Sequence, residues 1–224
     1  MLQKEAVAPE MITLIKELQN NSLFKDHFLA GGTALTLQLG HRTSTDIDLF
    51  TLKEQSFMAI IQYLNKNYKN VDVNIGKDDF SRIFVNGIKI ELVEYNEKLL
   101  EIPEKEDGIT LVGKKEIAAM KLAAILKRTE PRDFIDIAYL LNEMSLKNMF
   151  DLYKEKFGSI SPLYIKRTLL TKSSNIKDNE WLVGGIKMLR SDIELKNIPS
   201  FIKQKIEEYN NNLFVVNNID SSNI

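Results

Sequence analysis

The segment FLAGGTALTLQLGHRTSTDIDLFT, residues 28–51, decides how this chain is read. Phe28, Leu29 and Ala30 form a short apolar run that stops at Gly31-Gly32. Ala34, Leu35, Leu37 and Leu39 then fit a short helix, which Gly40 ends. From Asp46 to Thr51 polar and apolar residues alternate, which predicts a strand. Glycines let a backbone approach a ligand closely, and the unpaired N–H groups at a helix start attract an anion. A tight strand-to-helix turn needs the same glycines. On a strand, residues two apart share a face, roughly 7 Å from Cα to Cα. Asp46 and Asp48 therefore project together, while Ile47 and Leu49 point into a core. Converging carboxylates are costly unless neutralised. A hard divalent cation such as Mg²⁺ is their natural partner, since it prefers oxygen ligands. Two solvated acids on an exposed strand give the same pattern.

Working outward, Pro9–Asn20 reads as an amphipathic helix through Met11, Ile12, Leu14, Ile15 and Leu18, and Phe57–Asn67 as another. Val71, Val73 and Ile75 alternate with Asp72 and Asn74 as a strand. In the run Arg82–Glu94, Asn86-Gly87 separates two β-rich stretches, as a two-residue hairpin turn requires. Lys89, Glu91 and Val93 share one face of its second strand, so Glu91 stands beside the Asp pair if the strands are neighbours. Three carboxylates can hold two metal ions about 4 Å apart, the arrangement that clamps attacking and leaving oxygens in phosphoryl chemistry. Solvent exposure is the alternative for Glu91, and Glu94 is the substitute ligand.

The composition changes over the polar stretch 101–113, with Pro103 and Gly108, and a domain boundary is expected there. Beyond it the pattern is helical: Lys115–Arg128, Pro131–Glu143, Leu146–Phe157, Pro162–Leu170, Glu180–Leu189 and Phe201–Asn210, with a polar, frayed tail from Asn217. Ile117, Lys121, Ala124 and Arg128 form one helical stripe. Arg132, Asp133 and Asp136 follow on the next helix. Two readings stand side by side: an internal ion-pair set between the helices, or Lys121 and Arg128 meeting phosphates with Asp133 and Asp136 orienting them.

Leu29-Ala-Gly-Gly-Thr-Ala-Leu35 with Gly40-His-Arg-Thr-Ser-Thr-Asp-Ile-Asp-Leu-Phe50 resembles the first motif of the AbiEii/AbiGii toxin family, nucleotidyltransferases of the DNA polymerase β-like superfamily. Glu116-Ile-Ala-Ala-Met-Lys-Leu-Ala-Ala-Ile125, continuing through Arg128 to Pro131-Arg-Asp-Phe-Ile-Asp136, resembles its later motifs. The similarity spans residues 28–141. It implies an α+β fold: a nucleotidyltransferase domain over residues 1–105, a polymerase β-like mixed sheet with flanking helices, then a helical domain over residues 106–224. It also implies Mg²⁺-dependent transfer of a nucleotide from an NTP to an acceptor, RNA and specifically the tRNA acceptor end. A protein hydroxyl as acceptor, or a non-catalytic nucleotide- or partner-binding module, are the alternatives.

By position, the resemblance implies that Gly31, Gly32 and Thr33 cradle the triphosphate and that Arg42 and Ser44 touch phosphate. Asp46 and Asp48 would hold Mg²⁺, with Glu91 as third carboxylate and acceptor of the hydroxyl proton. Lys121 would be the catalytic helix lysine, with Arg128, Asp133 and Asp136 completing the nucleotide-binding set. Such toxins are encoded with a cognate antitoxin.

The remaining composition narrows the classes. Lys plus Arg is 30 against 31 for Asp plus Glu, net −1, which argues against a uniformly basic coat protein. A local basic surface remains open through Lys154, Lys156, Lys166, Arg167, Lys172, Lys177 and Lys187, although acids are interspersed. No cysteine excludes disulfides and thiolate chemistry, and only His27 and His41 are available as imidazole ligands. Both histidines, with Trp181, Tyr139, Tyr153 and Tyr164, read as structural or packing residues. Met1–Glu10 lacks the apolar run of a signal peptide, and no run of about 18 apolar residues occurs, so a cytoplasmic protein is expected with no membrane partner.

Overall fold

The computed structural model describes residues 1–75, 81–177, 180–181 and 186–221. The chain forms two compact units: Met1–Ile117 with Ile186–Arg190, and Ala118–Gly185 with Ser191–Ile224.

In the first unit, α1 (Pro9–Asn20) precedes β1 (Phe28–Leu29), α2 (Gly31–Leu39) and β2 (Asp46–Thr51). Next come α3 (Phe57–Asn67), β3 (Val71–Ile75), β4 (Ser81–Val85) and β5 (Ile88–Glu94), then β6 (Glu104–Glu106) and β7 (Ile109–Leu111). These strands make one mixed sheet in the order β3-β4-β5-β2-β1-β7-β6. β2 runs parallel to β5 and antiparallel to β1. The alternation read from sequence sets the two faces. Ile47, Leu49 and Thr51 of β2 are buried, level with buried Ile90 and Leu92 of β5, while Asp46, Asp48 and Glu91 occupy the opposite, half-exposed face.

The β4–β5 turn uses Asn86 and Gly87 at φ 51° and 82°, the pair of positive φ values a two-residue hairpin needs. The polar stretch 101–113 contains a second hairpin. Asp107 and Gly108 also sit at φ 52° and 86°, and they fold residues 104–111 into the β6–β7 hairpin. β7 then pairs with β1. The side-chain amide of Gln19 on α1 donates to the Thr110 carbonyl and accepts from the Thr110 N–H, both at 2.8 Å, like one more rung on β7.

In the second unit, α4 (Lys114–Lys127), whose first turn lies in the first unit, leads into α5 (Pro131–Glu143), α6 (Leu146–Phe157), α7 (Pro162–Ser174) and α8 (Ile198–Ser221). Every residue of α5 from Asp133 to Leu141 is buried, so it is the central helix. It contacts α7 and α8, and α8 also contacts α6 and α7. Two expectations change here. α8 runs well past Asn210, carrying helical backbone into the tail. The helix expected over Glu180–Leu189 lies partly on residues 182–185, outside the described residues, and Ile186–Leu189 is not helical. Instead, Met188 bridges to Arg42. Trp181 and Tyr139 are buried and Tyr153 stacks near Phe157, as packing residues should, but Tyr164 is 53% exposed. Among the described residues no helix is long and apolar enough to cross a membrane.

Candidate active site

The site is built around the end of β1. The Ala30 N–H donates to the Asp48 carbonyl at 2.9 Å, so the chain leaves the sheet directly beside Asp48. Gly31 turns it into α2 at φ +65°. A Cβ at this position would run into the Asp48 carboxylate. Only glycine can take this turn without strain and still leave that carboxylate its place. Gly31 and Gly32 are both partly exposed, and they occupy the first turn of α2, where backbone N–H groups lack helical partners. Replacing Gly31 by Ala therefore has two expected costs. Strain at positive φ destabilises the fold by about 1–2 kcal/mol, and the displaced carboxylate lowers activity by about a hundredfold. Thermal melting and a transfer assay on the same sample check both.

Asp46 and Asp48 project from one face of β2. Parallel pairing brings Asp46 level with Lys89 and Asp48 level with Glu91, and on the other side of β5 Arg82 is level with Glu91. The neighbouring strands that sequence required for Glu91 are thus present. Glu94 points the other way on β5, and its carboxylate accepts from the Gln55 N–H at 3.0 Å, so it does not belong to this face. The donors suit a hard divalent cation: acidic oxygens on adjacent strands, and a glycine where a side chain would fill the space. Their side chains do not close around one point, however. Among the described residues no three acidic or imidazole groups converge closely enough to hold an ion. The Glu91 carboxylate lies 2.7 Å from the Lys89 ammonium and 3.4 Å from Arg82 Nε. Lys89 also lies 3.6 Å from Asp46 Oδ2.

Thr33, Ser44 and Arg42 are buried rather than open to a ligand. The Thr33 hydroxyl donates to the Asp46 carbonyl and is 2.8 Å from Ser44 Oγ. These two hydroxyls fasten the loop before β2 to α2 and so fix where the aspartates begin. Arg42 Nη1 donates to the Thr43 carbonyl at 2.9 Å. Thr43 N–H donates to the Lys187 carbonyl at 2.8 Å, and the His41 carbonyl accepts from Leu189 and Arg190. The buried His41 and His27 are structural, with His27 Nε2 3.0 Å from Gln55 Oε1.

In the second unit, Lys121, Asp133 and Asp136 are buried together. The Lys121 ammonium lies 2.8 Å from Asp133 and 2.6 Å from Asp136, and Arg128 Nε meets Asp133 at 2.8 Å. Lys172 donates to the Ile125 and Arg128 carbonyls, closing the end of α4. Of the two readings open in the sequence, the internal ion-pair set is the one these contacts describe; Arg128 remains the cation of the set that solvent reaches. Burial alone would push Asp133 up, but Lys121, and Arg128 after it, outweigh that and hold it below the ordinary carboxylate value. A depressed folded-state value adds stability above the unfolded value of about 3.9, and that stability disappears as pH falls through the folded value. Wild type should therefore lose stability below about pH 4 relative to Asp133→Asn, a difference read from chemical denaturation midpoints across a pH series.

Comparison with known proteins identifies the family. The family model described as "Nucleotidyl transferase AbiEii toxin, Type IV TA system" matches residues 13–199. An uncharacterized protein of Aquifex aeolicus (strain VF5) is 32% identical over 203 residues, covering 87% of this chain and 93% of that protein. Among solved structures, a putative nucleotidyltransferase from H. pylori superposes with a TM-score of 0.56 at 17% identity, covering 92% of this chain and 94% of that one. MenT4, a nucleotidyltransferase toxin of Mycobacterium tuberculosis H37Rv, gives 0.55 at 13% identity, covering 88% of this chain and 80% of that one. With a glycine elbow against paired aspartates and a family match across most of its length, the chain belongs to the AbiEii nucleotidyltransferase toxin family and is a nucleotidyltransferase.

Proposed function

We propose that the acidic face of β2 and β5 binds an NTP with Mg²⁺ and that the enzyme transfers the nucleotide to an RNA hydroxyl at the tRNA acceptor end. The observation that carries this reading is the placement of Asp46, Asp48 and Glu91 on one sheet face beside the Gly31-Gly32 start of α2. Asp46 and Asp48, with Glu91 as third carboxylate, would hold Mg²⁺, which would supply positive charge to the phosphates. The first turn of α2 offers backbone N–H groups to the same anion. The acceptor oxygen attacks the α-phosphorus, the bond from that phosphorus to the bridging oxygen breaks, and pyrophosphate leaves. The hydroxyl proton passes to a carboxylate of this face, Glu91 by preference. Within the second unit, Lys121, Asp133 and Asp136 form a buried frame that holds the Arg128 guanidinium at the surface.

An RNA acceptor is supported by α7. It carries exposed Arg167 and no acid over its length, with Lys166 held by Asn210 and Lys172 by the end of α4, and Leu163 and Tyr164 are exposed in its first turn. Cations beside an open aromatic ring suit single-stranded nucleic acid. Acting on NTPs and RNA makes this a cytoplasmic enzyme, and membership of a toxin family calls for a cognate antitoxin. The test is incubation with each labelled NTP, Mg²⁺ and total RNA. Labelled RNA is the expected result. Labelled protein bands would move the acceptor to a protein hydroxyl, and no label with any of the four NTPs would overturn the reading.

A further inference from the structure

Lys89 belongs to none of the motifs that point to the site, yet it lies within it. It is the register partner of Asp46, and its ammonium sits 2.7 Å from Glu91 and 3.6 Å from Asp46. Its side chain is 26% exposed, so solvent screens these contacts only in part. Three carboxylates on one face repel one another, and each gains from a nearby cation. Lys89 supplies it to Asp46 and Glu91, and Arg82 Nε, at 3.4 Å, also faces Glu91. A divalent ion approaching the same oxygens meets a like charge. A bound triphosphate brings several negative charges that the ammonium can reach by rotating its flexible stem.

We propose that Lys89 is a movable counter-charge of the site: it bridges Asp46 and Glu91 and passes to the nucleotide's phosphates when a divalent cation takes the carboxylates. Metal and nucleotide then favour each other's binding, because each removes an obstacle to the other. By linkage, the factor by which nucleotide tightens metal equals the factor by which metal tightens nucleotide. The inference rests on the metal role of Asp46 and Asp48 proposed above.

The experiment is titration of the full chain with Mn²⁺, followed by electron paramagnetic resonance, with and without a non-hydrolysable NTP analogue. Wild type, Lys89→Met, Lys89→Gln, Lys89→Arg and Asp46→Asn are compared, each first checked for folding by thermal melting. The two neutral variants should bind Mn²⁺ alone about tenfold more tightly, because a competing like charge has gone. They should bind the analogue in saturating Mn²⁺ about tenfold more weakly, having lost a phosphate contact. Lys89→Arg should stay near wild type in both. A lysine that serves only as a structural ion pair would leave Mn²⁺ affinity unchanged or weaker in both neutral variants, and that result overturns the inference. If Asp46→Asn weakens Mn²⁺ binding while the neutral variants fail to tighten it, the metal role stands and only the assignment of Lys89 falls. If Asp46→Asn leaves Mn²⁺ binding untouched, both fall.

Discussion

Asp46→Asn and Asp48→Asn should each reduce nucleotidyl transfer by at least about a thousandfold, because each removes an anionic oxygen proposed to hold the divalent cation against the reacting phosphates, without changing side-chain shape. The fold should not suffer. Asp46 is a half-exposed strand residue whose contact with Lys89 is long, and exposed pairs of that kind contribute about 0–1 kcal/mol. Removing one of several like charges on a face also relieves repulsion. The expected result is thus a near-complete loss of label transfer with the thermal midpoint held or slightly raised. Transfer within tenfold of wild type in either variant would show that chemistry does not use this face.

Lys121→Met should have the largest effect on stability. Lys121 and the two carboxylates it meets are almost wholly excluded from water. Removing one partner of a buried ion pair leaves uncompensated charge and typically costs about 3–5 kcal/mol. Arg128 would still face Asp133, but its guanidinium is mostly exposed and its contribution is correspondingly screened. The only tryptophan, Trp181, is buried in this second unit, so its fluorescence reports the unfolding of that unit during urea denaturation. A midpoint equal to wild type, together with lost activity, would make Lys121 a ligand-contacting residue instead.

The elements written most strongly in the sequence are those whose signals are local. α5 and α6 have the bounds read from the sequence pattern, Pro131–Glu143 and Leu146–Phe157, with Pro131 opening the first. The β4–β5 hairpin follows from Asn86-Gly87. The face shared by Asp46, Asp48 and Glu91 follows from the period of a strand, once β2 and β5 are neighbours. What was not legible depends on distant partners. β6 reads as Glu-Lys-Glu, a polar run with no core face, and it is a strand because β7 pairs with it. Asp107-Gly108 is the local signal that could have found that hairpin. The 186–190 segment takes its extended form from residues 41–43, far away in sequence. Thr33 and Ser44 carry hydroxyls that suit phosphate equally well in a sequence; only coordinates reveal that both turn inward. Lys89 reads in the sequence only as a neighbour of Glu91 on one strand face, and its place against Asp46 emerges only once the register partner is known.

The first unit takes its material from two separate parts of the chain, residues 1–117 and 186–190. A ribosome releases the aspartates, the glycine turn and all seven strands long before the segment that fastens the His41–Thr43 loop. Domains assemble from the amino end as they emerge, yet this one lacks its last fastening until Arg190 has been made. A prematurely terminated translation product would carry every acidic residue of the catalytic face and still leave the loop leading into it unanchored.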